Sequence, residues 1–294
     1  MIKRIVLLSC LTASSCLFYQ FKKIDTTPNS VNRQLPTKME FCGERVPLEI
    51  TDVRERLDRE LIVNKNLHSA TSLIIKRANR YFSEIEPILK KNGIPDDFKY
   101  LCVIESALTN ATSSAGAKGF WQFMPETAKE FSLEISSTVD ERYHVIKATE
   151  AACTYLKKAY SKFGNWTLVA AAYNRGMAGV DRQLTAQGVS DYYDLYLNEE
   201  TSRYVFRILA LKEIMLNTDK YGYVFPNEEL YKPIKTKKIN VTTNIENLHT
   251  WALEQGINYK ILKLHNPWLI DTTLNIPLGK TYDIEIPTEG YKRK

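Results

Sequence analysis

Apolar residues recur at helical spacing from about Asp52 to Met215, and no alternating strand pattern of note appears before residue 235. That limits the larger part of the chain to a mainly α-helical fold. Leu57 and Leu61 begin one stripe, and Leu73, Ile74, Ala78 and Phe82 carry another; Gly93 then stands where a glycine caps the segment Ile85–Asn92. Val145, Ala148, Ala152, Tyr155, Ala159 and Phe163 form a longer stripe that Gly164 ends. Trp166–Tyr173 is apolar nearly all round, which predicts a central buried helix presenting Tyr173 and Asn174 at its C-terminal end. Tyr204, Ile208, Leu211 and Met215 supply the last helix of this region.

One carboxyl group breaks the pattern. In Asp97–Leu108 the residues Phe98, Leu101, Cys102 and Leu108 share a helical stripe, and Glu105 occupies the same stripe. An ionised carboxylate is costly to remove from water, so such a group raises its pKa and stays protonated nearer neutral pH. That is the requirement for a general acid. Downstream, Ser113–Gly119 holds only small and polar residues apart from Lys118, the composition of a tight loop able to bring backbone close to a ligand. Pro125-Glu126-Thr127 opens a new helix with proline suited to its first turn.

Four ordered blocks carry a resemblance. Glu105-Ser106, the run Ser113 to Pro125, Ala171 to Gly176, and Glu200-Thr201-Ser202-Arg203-Tyr204-Val205 resemble the pattern of the lytic transglycosylases of goose-type-lysozyme-like fold, most closely the membrane-bound type D branch. The resemblance covers roughly positions 80 to 222. It implies a lysozyme-like helical catalytic domain, here over 51–225, with Glu105 as the single catalytic acid and then base. It also implies that Ser113, Gln122, Met124, Tyr173, Asn174, Glu200 and Tyr204 are substrate contacts, with the Tyr173 hydroxyl orienting the glutamate. Phe120, Trp121, Phe123 and Met124 read as packing more than stacking residues, although Met124 also falls within the matched block. Glycosidic cleavage usually takes two carboxyl groups. Asp140, Glu141, Glu199 and Glu200 are distant in sequence, and the resemblance implies that none of them is a nucleophile: the C6 hydroxyl of N-acetylmuramic acid attacks its own anomeric carbon, giving a 1,6-anhydro sugar. No cofactor and no metal is implied. A goose-type lysozyme that uses water, and a catalytically silent peptidoglycan-binding protein, are the alternative readings. The chain departs from the family at Leu108-Thr109-Asn110, where many members have an aromatic followed by Asn-Pro, and at Arg175, which replaces a common alanine and puts a cation beside the groove.

The tail reads differently. Lys237–Thr243 alternates, Ile245–Gly256 and Tyr259–Asn266 read as short helices, and Tyr282–Ile286 alternates again. This β-α-α-β order, with Asn266-Pro267 and Ile276-Pro277-Leu278-Gly279, resembles a LysM module over 236–288. The resemblance implies binding of N-acetylglucosamine-containing glycans, and the alternative is a small structural domain. Because the catalytic blocks all precede residue 206, the module is expected to add binding and leave the chemistry alone.

At the other end, Lys3-Arg4 precedes an apolar run from Ile5 to Phe21, followed by Lys22-Lys23, the layout of an export signal or a short membrane anchor over 1–23. Cys10 and Cys16 loosely resemble bacterial lipoprotein cleavage boxes, which leaves cleaved signal, lipoprotein and helical anchor as alternatives. Residues 24–50 carry Pro28, Pro36 and Pro47 among polar residues and read as an extended linker. The expected location is the periplasmic side of a bacterial cell envelope, with peptidoglycan strands and a membrane as partners. A net charge of +6 raises nucleic acid as a partner, but the Lys and Arg residues are dispersed and their runs short, so none is expected. The five cysteines show no Cys-x-x-Cys pair, and Cys102 and Cys153 sit on apolar stripes as small hydrophobes. His68, His144, His249 and His265 lack metal-ligand spacing and read as surface or capping residues.

Overall fold

The computed structural model describes residues 35–291, so the run Ile5–Phe21 and Cys10 and Cys16 lie outside the described residues. The helical part comprises α1 (Thr51–Asn66), α2 (His68–Lys91), α3 (Phe98–Ser106), α4 (Pro125–Glu130), α5 (Val145–Phe163), α6 (Trp166–Arg175), α7 (Met177–Gln187) and α8 (Glu199–Leu216). Helix α8 packs against α1, α3 and α6, and α6 also meets α5 and α7. The all-apolar run therefore lies at the centre, as its sequence predicts: Leu168 to Ala172 are at most 3% exposed. Three successive alanines on α6 let neighbouring helices approach closely. The stripes of residues 73–89 belong to the single helix α2, which continues through Pro87 and is capped by Asn92 before Gly93 in the left-handed region.

Residues 35–50 correct the linker expectation. The chain forms β1 (Glu40–Phe41) and β2 (Glu44–Arg45), paired antiparallel, and Phe41, Val46 and Leu48 are at most 6% exposed. Phe41 meets Phe98 edge-on, with ring centroids 5.4 Å apart. The Glu44 carboxylate accepts bonds from the backbone N–H of Trp166 (2.5 Å) and Thr167 (2.9 Å) and from the Thr167 hydroxyl (2.7 Å). An anion at the N-terminus of α6 satisfies donors that a helix leaves unpaired. Composition misses this because the burying residues here follow neither helical nor strand period, while proline dominates the local signal.

The tail has the expected order: β3 (Thr236–Val241), α9 (Leu248–Glu254), α10 (Tyr259–His265) and β4 (Tyr282–Pro287). The strands pair antiparallel from Thr236↔Pro287 to Val241↔Tyr282. Asn266, fully buried, knits α10 to β4: its amide donates to the Glu285 carbonyl (2.7 Å) and its oxygen accepts from the Glu285 N–H (2.8 Å).

This module is docked on the helical part. Val139 bridges Leu269 and packs in the module's core, the Asp140 N–H donates to the Trp268 carbonyl (2.9 Å), and the Ile270 N–H donates to the Thr138 carbonyl (3.0 Å). Trp268 lies stacked between His144 and Tyr282, at centroid distances of 5.9 and 5.5 Å. Lys280 and the Tyr282 hydroxyl both reach Glu134. His144 thus precedes α5 at its cap position and is half-buried beside the module's Trp268, and burial pushes its imidazole down to about 4.

Candidate active site

Glu105 sits in the last turn of α3, and the chain leaves that helix abruptly. Ala107 (φ 51°) and Leu108 (φ 55°) both adopt the left-handed region, which is costly for residues with a side chain. The Arg77 guanidinium holds the turn by donating to the Ala107 carbonyl (3.2 Å), and Leu108 is buried at 1% exposure. Helix α3 therefore ends one residue after Glu105.

The surroundings of that carboxyl come mainly from α8. The Tyr204 hydroxyl donates to Glu105 Oε1, and Tyr204 itself is buried. Burial raises the Glu105 carboxyl to about 7, against the opposing pull of the Tyr204 hydrogen bond and the Arg207 guanidinium, while the Glu200 carboxylate adds a further upward push. Arg207 is fixed by a bond to the Ile104 carbonyl (3.2 Å). Burial also holds the Tyr173 and Tyr204 phenols well above their ordinary value, with the negative charge of Glu105 as the next cause for each, so both remain donors.

The tyrosine bonded to Glu105 is therefore Tyr204, where the sequence reading put Tyr173. The Tyr173 hydroxyl is engaged elsewhere, donating to the Trp121 carbonyl (2.8 Å), and its ring packs between Tyr155, Phe123 and Trp121. Tyr173 thus holds the floor of the loop. Trp121 anchors the same floor by donating its indole N–H to Thr149 Oγ1 (2.8 Å).

The loop between α3 and α4 is closed by the bridges Thr112↔Lys118 and Lys118↔Phe123. Ser113 Oγ accepts from the Ala117 N–H (3.0 Å), a capping bond within the loop. Gln122 takes φ 50° and donates its amide to the carbonyls of Ala111 (3.1 Å) and Gly119 (2.8 Å). Phe120, Trp121 and Phe123 are core residues, but Met124 is 42% exposed, so it belongs to the surface. At the end of α6 the Asn174 amide donates to Glu200 (3.1 Å) and its oxygen accepts from the Thr201 hydroxyl (2.8 Å), tying α6 to the first turn of α8. Glu199, Glu200, Arg203 and Arg207 line a recess along that turn. The cation at position 175 donates to Asn198 (2.9 Å).

Two of the acidic residues named from the sequence are committed elsewhere. Asp140 pairs with Arg142, and Glu141 accepts from Lys147 (2.6 Å) and the Glu134 N–H (2.8 Å). Among the described residues no cluster of His, Cys, Asp and Glu is arranged to hold a metal ion.

Sequence reasoning missed Arg142 and the need for Gly119. The buried Arg142 side chain donates to the Gly116 carbonyl (3.1 Å), midway along the loop, and to the Phe123 carbonyl (3.3 Å), near its end. Gly119 (φ 78°) lies against Arg142, whose carbonyl oxygen would be 1.8 Å from any Cβ there. The glycine was visible in sequence, but its partner twenty-three residues away was not.

Residues 82–195 match the family described as Transglycosylase SLT domain, and residues 237–290 match the Soluble lytic transglycosylase C-terminal LysM-like domain. Membrane-bound lytic murein transglycosylase D of Escherichia coli K12 is 30% identical over 243 residues, covering 80% of this chain and 52% of that protein. The chain spans about half the length of that curated relative. A putative tributyltin chloride resistance protein of an Alteromonas species is 33% identical over 111 residues, covering 37% of this chain and 54% of that protein. An X-ray structure of an inactive mutant of the lytic transglycosylase Slt from Pseudomonas aeruginosa is 23% identical with a TM-score of 0.38, covering 52% of this chain and 26% of that one. The chain carries a lysozyme-like transglycosylase SLT domain followed by a LysM-like domain of the soluble lytic transglycosylase type, and it is a homologue of membrane-bound lytic murein transglycosylase D.

Proposed function

We propose that this protein is a murein lytic transglycosylase that cleaves the MurNAc-GlcNAc β-1,4 bond without water and leaves 1,6-anhydro-MurNAc ends. The observation that carries the reading is the Glu105 carboxyl, raised to about 7 by burial and held by the Tyr204 hydroxyl. Near neutral pH a substantial fraction is protonated and able to donate to the glycosidic oxygen. As the C1–O4 bond breaks and the leaving sugar takes that proton, the C6 hydroxyl of the same MurNAc attacks C1. The Glu105 carboxylate accepts the hydroxyl proton and is restored to the acid. The nucleophile is part of the substrate and is present at high effective concentration, so a second carboxyl is not required. Glu200, whose charge acts on Glu105, is engaged by Asn174, which supports a positioning role for it. Met124, exposed at the loop's end, and Gln122, whose side-chain oxygen is not used in the loop, are suited to contact the glycan, with Ser113 shaping the loop beside them.

The substrate puts the protein on the periplasmic side of a bacterial envelope, and the N-terminal run is the proposed attachment to a membrane, as a helical anchor or a lipoprotein. Among the described residues no helix is long and apolar enough to cross a membrane. Intact-mass analysis of membrane-extracted protein separates the cases: an unprocessed N-terminus marks an anchor, a diacylglyceryl-cysteine a lipoprotein. Recovery of most of the unprocessed chain from the cytosol would contradict both.

Mass spectrometry of the products released from purified murein tests the activity. Anhydro-MurNAc ends are expected. Reducing ends alone would make the protein a lysozyme, and binding with no release would make it a silent wall-binding protein.

A further inference from the structure

We infer that the C-terminal module is an intramolecular brace for the loop that follows Glu105, with Asp140 and Arg142 as the positioning residues that connect the two. The inference rests on the transglycosylase reading for its substrate alone.

The connection runs through one short segment, Thr138–Arg142. Its first half belongs to the module. Val139 is fully buried in the module's core and bridges Leu269, Thr138 accepts from the Ile270 N–H (3.0 Å), and the Asp140 N–H donates to Trp268 (2.9 Å). Its second half belongs to the loop. The Asp140 carboxylate accepts two bonds from the Arg142 guanidinium, at 2.9 and 2.7 Å, and a third from Lys118 at 3.4 Å. With its orientation fixed by that fork, Arg142 spends its remaining nitrogen on Gly116 and Phe123. Its own carbonyl presses on Gly119, and next in the chain the Tyr143 hydroxyl bonds Thr112 Oγ1 (2.8 Å).

Asp140 and Arg142 are 1% and 4% exposed, so this is a buried ion pair whose worth depends on geometry. A planar guanidinium forked on a carboxylate has little freedom to rotate, and a lysine could not make the same four contacts. The loop it holds carries Gln122 in a left-handed conformation, which persists only where its surroundings over-determine it. Withdrawing the module removes the acceptor of the Asp140 N–H and the cover of Val139, and the fork then loses its fixed base. The side chains of Trp268 and Tyr282 are at most 4% exposed. They are used for docking and for the module's core. On this inference the module acts on the chemistry as well as on binding.

The test compares full-length wild type with Trp268→Ala, Arg142→Gln, Arg142→Lys and the Trp268→Ala/Arg142→Gln double variant. Turnover is read on soluble murein tetrasaccharides and backbone amide exchange without substrate, while near-UV circular dichroism checks the helical part. Each single variant should lower kcat about tenfold or more with KM within about threefold, since small misplacements of substrate-positioning groups slow chemistry by such factors. The double variant should be no worse than the poorer single one, the sign of a shared pathway. Arg142→Lys should regain less than threefold. Exchange of the Lys118 and Gly119 amides, which donate to Phe123 (3.2 Å) and Ala111 (2.9 Å), should quicken about tenfold in Trp268→Ala. Wild-type exchange and kcat within twofold in Trp268→Ala would overturn the inference, as would effects of the two substitutions that simply multiply. The exchange readout needs no turnover. A wild type that releases reducing ends, or nothing, would end the transglycosylase reading, and the exchange result alone then decides the brace: quickened exchange in Trp268→Ala supports it, and wild-type exchange overturns it.

Discussion

Replacing Glu105 with glutamine should make the protein more stable, and only above about pH 4.5, while removing cleavage. The folded protein holds the Glu105 proton up to about pH 7, because burial outweighs the Tyr204 bond and the Arg207 charge, against an ordinary value of 4.5. Below 4.5 the folded and unfolded chains both carry the neutral acid, and glutamine, nearly isosteric and able to accept the Tyr204 bond through its oxygen, has no advantage. Between 4.5 and about 7 the unfolded chain releases its proton and the folded chain keeps it. Stability of the wild type therefore falls with rising pH relative to the variant. At about 1.36 kcal/mol per pH unit the full difference is about 3 kcal/mol, and because Glu105 is half-buried, solvent screening reduces it to about 1–3 kcal/mol. For a chain of this size that is on the order of 5 °C in Tm. Thermal unfolding of both proteins from pH 4 to pH 8 measures it: the two curves should coincide at the acid end and separate toward neutrality. Cleavage of murein by the variant should fall about a thousandfold, since an amide can neither donate nor reclaim the proton. A Tm gap that does not change with pH would refute the linkage argument, and activity within tenfold of wild type would remove Glu105 from the acid role.

Tyr204→Phe removes a bond that favours the ionised carboxylate, so the basic limb of the kcat/KM profile, expected near pH 7, should move up by about one pH unit; an unmoved limb would count against the Tyr204 contact. Gly119→Ala places a methyl group against the Arg142 carbonyl at φ 78° and should cost more than about 3 kcal/mol, seen as a large drop in Tm; a wild-type Tm would show that the loop yields easily. Glu44→Ala strips the N-terminus of α6 of its anion and should cost about 1–2 kcal/mol in chemical denaturation, which tests whether the β1–β2 hairpin is part of the fold.

Much of the helical scaffold was legible because it is written in period and punctuation. The apolar run of α6, the glycine stops at Gly93 and Gly164, and Pro125 at the start of α4 each report on a few neighbouring residues, and local sequence carries such information in full. The placement of Glu105 on an apolar stripe also foretold a perturbed carboxyl, since burial follows from the face of the helix. The β-α-α-β tail was readable for the same reason.

Tertiary structure alone decided which distant groups meet. Tyr173 and Tyr204 are equivalent in sequence as tyrosines within matched blocks, and the choice between them depends on which hydroxyl finds the carboxylate and which a backbone carbonyl. Arg142 carries no local signal, because its partners lie at Gly116 and Phe123 on one side and, through Asp140, at Trp268 on the other. The packing of residues 35–50 likewise depends on Phe98 and the N-terminus of α6, far along the chain. Periodicity tells which side of an element is buried. What it is buried against is set by the long-range geometry of the packed helices, and at this site that geometry determines the proton affinity of Glu105 and the shape of the loop beside it.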